Sequence, residues 1–397
     1  MMKQQKYFVS GNEAVALGVQ RSRTQVVTAY PITPQTVAME RLSEMVADGE
    51  LRTEFMLVES EHSALSAAMG ASAMGTRTFT ATSSQGLLYM AECLHYASGG
   101  RWPIVMMNAN RSVALPWSIF GDQRDSLSLL DSGWIQVYVE DAQEAFDMII
   151  QAFAIAEDEQ VLTPVMVNLD GFTLTHTYEP VFVPTQEAVD AFLPPYQAPV
   201  KMDLDRPLNM AFSSTPPNNM EFKYQQHQAM EAARPVIAQV EQAFHAHFGR
   251  AYGGLIDAYR CDDAERILVT VGTVTGTARQ AVDQLREQGQ KVGLLKIRFM
   301  RPFPHEEVAR ALRHARAVGV LDRDISFGYE GTVFTNVNSA LIGNKVVPPA
   351  LNFIAGLGGR DIGVEDIEKM FERLAAAMDG KAAKRVEFIH LGVATDE

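Results

Sequence analysis

The chain has 397 residues, and at about 150 residues per domain that length makes two or three domains with room for a substantial core. Lys and Arg number 34 against 48 Asp and Glu, a net charge of −14 with no basic cluster, which excludes a nucleic-acid binder or an anionic-lipid binder. Hydrophobic residues at 47% and charged residues at 21% exclude a largely disordered chain; two cysteines, Cys93 and Cys261, exclude a disulfide framework, an all-cysteine zinc site and an iron–sulfur cluster, which needs about four thiolates.

The first ten residues, MMKQQKYFVS, hold no apolar core of signal-peptide length. No apolar run reaches the roughly 20 residues of a membrane span, so a soluble cytoplasmic protein is expected. In chain order, Asn12–Val19 reads as a helix and Thr24–Tyr30 as a buried strand. After Pro34, the positions Val37, Met39, Leu42, Met45 and Val46 approximate helical spacing, ending near Gly49. Strands are expected at Phe55–Val58, Arg77–Ala81, Trp102–Met107, Ile135–Tyr138 and Pro164–Val167, with small-residue helices over Ala64–Gly75 and Gln85–Ala97. From about residue 180, prolines at 180, 184, 194, 195, 199, 207, 216 and 217 punctuate a stretch without period, which reads as a surface connector. A mixed-charge helix, Met220–Phe248, follows it. A second α/β unit then begins: strand Ile267–Val271, turn Gly272–Gly276, helix Thr277–Glu287, strand Val292–Ile297, helix His305–Arg316, strand Ala317–Leu321. The alternation predicts an α/β fold with parallel sheets in two domains, residues 1–250 including the connector and residues 251–397.

Four strand-to-helix junctions carry polar groups. Tyr30-Pro31-Ile32-Thr33-Pro34-Gln35-Thr36 is a stiff turn in which Thr33 suits an N-cap and Pro34 the first helical position. That explains the residues without a ligand. The same loop follows the C-terminal end of a strand, where α/β proteins place ligands, and could hold a carboxylate. Val58-Glu59-Ser60-Glu61-His62-Ser63 precedes a helix almost free of charge. It is either a solvated first turn or a buried carboxylate able to share a proton with a ligand nitrogen. Thr80-Ala81-Thr82-Ser83-Ser84-Gln85-Gly86 reads first as helix-capping hydroxyls. Asn108-Ala109-Asn110-Arg111-Ser112 puts an arginine past a buried strand end, suited to a carboxylate ligand or to a structural ion pair. Four such loops in succession favour one shared crevice.

No G-x-x-x-x-G-K-[ST], G-x-S-x-G, H-E-x-x-H or G-x-G-x-x-G occurs, nor a Gly-Asp-Gly stretch with a later Asn to hold Mg²⁺ and a diphosphate.

Long strings across nearly the whole chain resemble the α subunit of 2-oxoacid:ferredoxin (acceptor) oxidoreductases of the pyruvate type. They are GNEAVALG from Gly11, YPITPQT from Tyr30, VESEHSALSAAMGAS from Val58, TFTATSSQGL from Thr78, NRSVALP from Asn110, DSGWIQVYVEDAQEAFD from Asp131 and PVMVNLDGFTLTHTYEPV from Pro164. KIRFMRPFP from Lys296 and VLDRDISFGYEGTVFTNV from Val320 carry it into the second domain. The resemblance implies the pyrimidine-binding domain of thiamine-diphosphate enzymes followed by a transketolase C-terminal-like domain. It also implies oxidation of a 2-oxo acid with CoA to an acyl-CoA and CO₂. A β subunit would carry the diphosphate and Mg²⁺, γ and δ subunits complete the complex, and the [4Fe-4S] clusters would sit on partners. Electrons would leave to ferredoxin or to a flavin- or NAD-linked acceptor. Two cysteines and the missing Gly-Asp-Gly agree with that division.

By the same resemblance, Glu61 matches the glutamate held against the aminopyrimidine ring, Tyr30 and Pro31 line the cofactor, and Thr33 and Arg111 hold the substrate's carboxylate and carbonyl. Pyruvate-specific relatives commonly carry Trp-(Asn/Gly)-Asp-His after that arginine. Here the run is Pro116-Trp117-Ser118-Ile119-Phe120-Gly121-Asp122-Gln123-Arg124-Asp125, with Trp117 and Arg124 as additions. Phe120 and Gln123 are therefore expected in the substrate pocket, and the change is either neutral drift or a pocket reshaped for a larger acid such as phenylglyoxylate. Alternatives from other classes are a non-catalytic assembly subunit, which should have lost one of Glu61, Thr33 and Arg111, and a transketolase-like carboligase, which the full-length match disfavours.

Overall fold

In the computed structural model, which describes residues 4–211, 213–343, 347–381 and 384–392, the long run of β–α alternation builds a seven-stranded sheet. Its order is Phe299–Arg301, Ile135–Tyr138, Val165–Asp170, Val105–Asn110, Thr78–Thr82, Val26–Ala29, Glu54–Leu57. All neighbours are parallel except the first pair. The central strands VMMNAN and VMVNLD are buried along their whole length, as strands covered on both faces must be. Alternate residues divide between two cores. Val105 and Met107 join the helices Gly11–Arg21, Thr36–Ala47 and Ala142–Ala156 on one face. Met106 joins Glu61–Ala73, Ser84–Tyr89 and Ala91–Gly99 on the other.

A second sheet runs Val386–Phe388, Ala350–Ile354, Ala317–Asp322, Arg266–Thr270, Val292–Ile297, Ile256–Tyr259, parallel but for the last. Helices Val274–Glu287 and Val364–Met378 cover one face, His305–Leu312 and Thr332–Leu341 the other. Among the described residues no helix is long and apolar enough to cross a membrane.

The structure moves several expected boundaries. The connector begins later than 180, because Tyr178–Pro184 is a strand pairing antiparallel with Gln4–Ser10, and Gln186–Phe192 is a helix. A two-stranded ribbon tolerates Pro180 and Pro184 where a central strand would not. The strand expected at Trp102–Met107 lies at Val105–Asn110, so Asn108 and Asn110 sit inside the sheet rather than in a loop. Thr33 is not an N-cap: the helix starts at Thr36 with Gln35 in the capping position. The Gln35 side chain instead closes the loop, donating to the Tyr30 carbonyl at 2.9 Å. The strand Phe299–Arg301, from the second half, completes the first half's sheet. That pairing joins residues distant in sequence, and no local pattern announces it.

Buried charge ties the halves together. Glu144, on helix Ala142–Ala156, accepts from Lys296 Nζ at 2.6 Å and Arg298 Nε at 2.8 Å, and all three side chains are buried. Glu140 takes a second bond from Lys296 at 3.0 Å. Burial alone raises the Glu144 pKa, but the two cations outweigh it and hold the carboxyl down at about 2. With the folded value below the ordinary 4.5, the stabilisation is complete above pH 4.5 and is lost as pH falls toward about 2. Glu144→Ala, which strands two buried cations, is expected to cost about 3–5 kcal/mol in chemical denaturation at neutral pH. The variant should also lose wild type's steep fall in stability below pH 4.5; an unchanged acid limb would show that Glu144 is not the group responsible.

Candidate active site

Because the strands of the first sheet run parallel, the loops after Val26–Ala29, Glu54–Leu57, Thr78–Thr82, Val105–Asn110 and Val165–Asp170 gather at one edge. The chain leaves Val26–Ala29 for the outer strand Glu54–Leu57, then crosses back to Thr78–Thr82 on the other side. That reversal opens a crevice between the loops of Tyr30 and Ser83.

Glu61 stands there as the first residue of helix Glu61–Ala73, whose N-cap Ser60 accepts from the Ser63 backbone. Its carboxylate is buried, and among the described residues no hydrogen bond or ion pair engages it. It lies on Gly86: a Cβ at that position would come within 2.6 Å of Glu61 Oε1 and 2.7 Å of Thr82 Oγ1, so a side chain there would displace the glutamate or the threonine. The hydroxyls of Thr82 and Ser83 are buried without a partner among the described residues. Ser83 occupies the N-cap of Ser84–Tyr89 yet caps nothing. These hydroxyls were expected to be capping groups; the structure leaves them free beside the glutamate. Glu59 and His62, by contrast, face outward, to Ser63 Oγ at 2.7 Å and Glu92 at 3.4 Å.

Thr33 and Arg111 come together. Arg111 Nη1 donates to the Thr33 carbonyl at 2.8 Å and Nε to the Ser118 carbonyl at 3.2 Å, with Trp117 6.0 Å from the guanidinium carbon. Burial lowers the Arg111 pKa, and the charge of Asp125 opposes it. The Thr33 side chain and Pro31 are exposed at the crevice mouth, and Tyr30 is half-buried. Phe120, half exposed, sits 5.0 Å from Phe172. Gln123 follows on the same loop. It is buried, and its amide nitrogen donates to Asp170 Oδ1 at 3.1 Å and the Val271 carbonyl at 3.4 Å, which ties it to the seam between the halves.

The residue that sequence reasoning missed is Asp125. Fully buried, its Oδ1 accepts from Asn110 Nδ2 at 2.7 Å and Ser126 N at 2.8 Å. Its Oδ2 accepts from Ser84 N at 3.0 Å, Arg111 N at 3.1 Å and Asn108 Nδ2 at 3.4 Å. One carboxylate thereby aligns the junctions that carry Ser83 and Arg111. Burial pushes it up to about 6, against the pull of those donors. It stands in the short helix Arg124–Leu127, at the end of a run read for its aromatic and Gln123 changes, and no pattern in that run marks such a role.

A buried carboxylate and two hydroxyls, all without a partner among the described residues, thus lie at the switch point of a parallel sheet, where such folds bind ligands. Residues 18–242 match the family model for pyruvate flavodoxin/ferredoxin oxidoreductase, thiamine diphosphate-binding, and residues 264–367 match pyruvate:ferredoxin oxidoreductase core domain II. The chain belongs to this family of 2-oxoacid oxidoreductase subunits. It is 49% identical to pyruvate synthase subunit PorA of Methanothermobacter thermautotrophicus, covering 92% of this chain and 94% of that one. It is 45% identical to ketoisovalerate oxidoreductase subunit VorA of Pyrococcus abyssi, covering 97% and 98%. The 2-oxoglutarate:ferredoxin oxidoreductase of Magnetococcus marinus, solved with 2-oxoglutarate, coenzyme A and succinyl-CoA, shares the fold at TM-score 0.71 and 20% identity, across 92% of this chain and 65% of that one. The free carboxylate of Glu61 and the unpaired hydroxyls of Thr82 and Ser83 fit the nitrogens of an aminopyrimidine ring.

Asp125→Asn puts an amide where backbone N–H groups need an acceptor, and is expected to destabilise the chain by about 2 kcal/mol or more at neutral pH. Since wild-type Asp125 is raised from 3.8 to about 6, its folded state gains on wild-type protonation, and the mutant's deficit should widen as pH falls from 6 toward 4. Denaturation midpoints across that range measure both effects.

Proposed function

We propose that this chain is the catalytic α subunit of a multi-subunit enzyme that oxidatively decarboxylates a 2-oxo acid with CoA to an acyl-CoA and CO₂. The observation that carries the reading is the uncommitted carboxylate of Glu61, buried at the switch point of the sheet beside Thr82 and Ser83. Thiamine diphosphate, when bound, supplies the nucleophilic centre and the electron sink for loss of CO₂. Glu61 holds a proton against a ring nitrogen of the aminopyrimidine, and the loop at Tyr30 and Pro31 lines the ring. The Thr33 hydroxyl, exposed to the crevice, and the buried Arg111 guanidinium, whose Nη2 has no partner among the described residues, hold the carboxylate and carbonyl of the 2-oxo acid. Phe120 and Trp117 form the apolar side of that pocket.

The diphosphate and its Mg²⁺ are held by a β subunit, because this chain has no Gly-Asp-Gly stretch. Clusters of the [4Fe-4S] type lie on γ or δ partners, since two buried thiols cannot ligate one, and the electrons leave to ferredoxin or a flavin- or NAD-linked acceptor. The apolar groups Met56, Leu57, Tyr89 and Tyr96, exposed in the isolated chain, supply surface for such partners. The substrate is pyruvate or a larger acid with an apolar side chain, ketoisovalerate or phenylglyoxylate among them. The enzyme works in the cytoplasm.

The isolated chain is expected to be inactive. In the assembled complex Glu61→Gln should abolish dye-linked oxidation of every 2-oxo acid while leaving subunit stoichiometry intact, and normal turnover by that variant would sink the assignment. Arg111→Lys, which loses the forked geometry, should raise KM for the 2-oxo acid by about tenfold or more with a smaller change in kcat. Initial rates on pyruvate, ketoisovalerate, 2-oxoglutarate and phenylglyoxylate identify the substrate.

A further inference from the structure

The segment from Arg111 to Gln123 is one loop closed on itself, with Ser112 N donating to the Phe120 carbonyl at 3.0 Å and Arg111 Nε donating to the Ser118 carbonyl at 3.2 Å. Its far end is fastened by the second half of the chain. Arg323 Nη2 donates to the Gly121 carbonyl at 3.0 Å, and Gln123 N donates to the Arg323 carbonyl at 2.9 Å. Gly358 N donates to Asp122 Oδ2 at 3.1 Å. Arg323 is itself fixed by Asp170 at 2.9 Å, and Asp170 also accepts from Thr273 N at 2.8 Å.

The loop also meets the second half at Gly359. Its φ of +81° is in the left-handed region, and a Cβ there would stand 2.4 Å from the Phe120 Cβ. Gly356 and Gly358 in the same turn are also left-handed, at +71° and +62°. Phe120 is therefore backed by a turn of bare backbone, with Phe172 on another side at 5.0 Å and its remaining surface open.

We propose that the glycine turn at 356–359, although it lies in the other half of the chain, is a specificity-determining element: it fixes where Phe120 stands and so limits the side-chain size of the 2-oxo acid. The inference rests on the reading of Arg111 and Phe120 as substrate-pocket residues. Gly359 is a positioning residue, acting only through Phe120. Because the contact is Cβ to Cβ, no rotamer change relieves it, and on this proposal a side chain at 359 displaces Phe120 off the turn toward the crevice.

The test uses the assembled complex and the ratio of kcat/KM for ketoisovalerate to that for pyruvate. Gly359→Ala should lower the ratio by about tenfold or more, the scale on which one methylene in a pocket is felt, mainly through KM for the branched acid. In a Phe120→Gly background the same substitution should leave the ratio where Phe120→Gly alone puts it. The backbone strain of alanine at this φ is present in both backgrounds and cancels. Asp122→Asn, which weakens the hold on Gly358 without straining the turn, should move the ratio the other way by about threefold; it decides the matter alone should Gly359→Ala fail to assemble. A ratio unmoved by Gly359→Ala or by Asp122→Asn, or moved equally with and without Phe120, overturns the proposal. A wild-type complex that oxidises no 2-oxo acid overturns the functional reading itself, whereas normal turnover with an unmoved ratio removes only the role of the glycine turn.

Discussion

Five N–H groups converge on the carboxylate of Asp125, and the geometry of the crevice follows from that convergence. The donors come from the turn after Thr78–Thr82, from the strand Val105–Asn110, from Arg111 and from Ser126. The Asn108 and Asn110 amides also reach Asn168 Oδ1 at 3.0 Å and Ser126 Oγ at 2.8 Å, whereas the backbone N–H groups of Ser84, Arg111 and Ser126 turn to Asp125, and an unmet donor at such a site costs about 1–3 kcal/mol. Ser84 shows what the convergence achieves. It is a non-glycine residue at φ +52°, a conformation costing about 1–3 kcal/mol, held by the bond from its N–H to Asp125. The helix that begins there carries Gly86 beneath Glu61. Moving Asp125 would thus move the floor under the glutamate and the backbone that aims Arg111, although Asp125 faces neither cofactor nor substrate.

The contact between the two sheets obeys a different constraint. Glu144, Lys296 and Arg298 are buried together, as are Asp170 and Arg323. Well-packed apolar groups could serve stability as well, since desolvating both partners offsets most of the attraction. What paired charge adds is register: a misplaced sheet would leave an ion uncompensated at a cost of several kcal/mol. The strand Phe299–Arg301 depends on that register because it must add to the edge strand Ile135–Tyr138 across a boundary where no short turn guides it. Charge along the seam therefore fixes one half against the other closely enough for Gly359 to meet Phe120.

Periodicity revealed what is local. Alternating β and α segments, a charge-free helix after Glu61 and polar groups at successive strand ends were all legible, and they led to the crevice that the sheet assembles. The motif strings brought Glu61, Thr33 and Arg111 forward as site residues, and the structure places Thr33 and Arg111 in direct contact. What escaped is long-range: the carboxylate of Asp125, the unpaired state of Thr82 and Ser83, the partners of Gln123, and a strand lent from residues 299–301 to the other sheet. Thr33 shows how a local rule is overridden. Its hydroxyl has the right offset for an N-cap, but Gln35 bonds back to Tyr30 and Asn12 donates to the Pro34 carbonyl at 2.8 Å, so the helix starts later and the loop is held for another purpose.

One edge of the first sheet carries two unresolved demands. The strand Glu54–Leu57 is an edge strand with Met56 and Leu57 exposed, and Tyr89 is exposed on the nearby helix, an arrangement that invites association with another chain. Nearby, the Thr82 and Ser83 hydroxyls are buried without a partner among the described residues, and the buried residue Glu61 makes no hydrogen bond or ion pair there. A protein folded to act alone would have covered the first with polar side chains and the second with hydrogen bonds, each correction needing only a few substitutions. In the proposed assembly one partner would answer both, covering the apolar edge and, by bringing the diphosphate site, seating a ring against Glu61. The acidic surface then has a consequence. With a net charge of −14, a partner of like charge would be repelled, so in the proposed assembly the apolar edge is the surface suited to supply binding energy, and retention of a cofactor seated between the subunits would depend on the same contact.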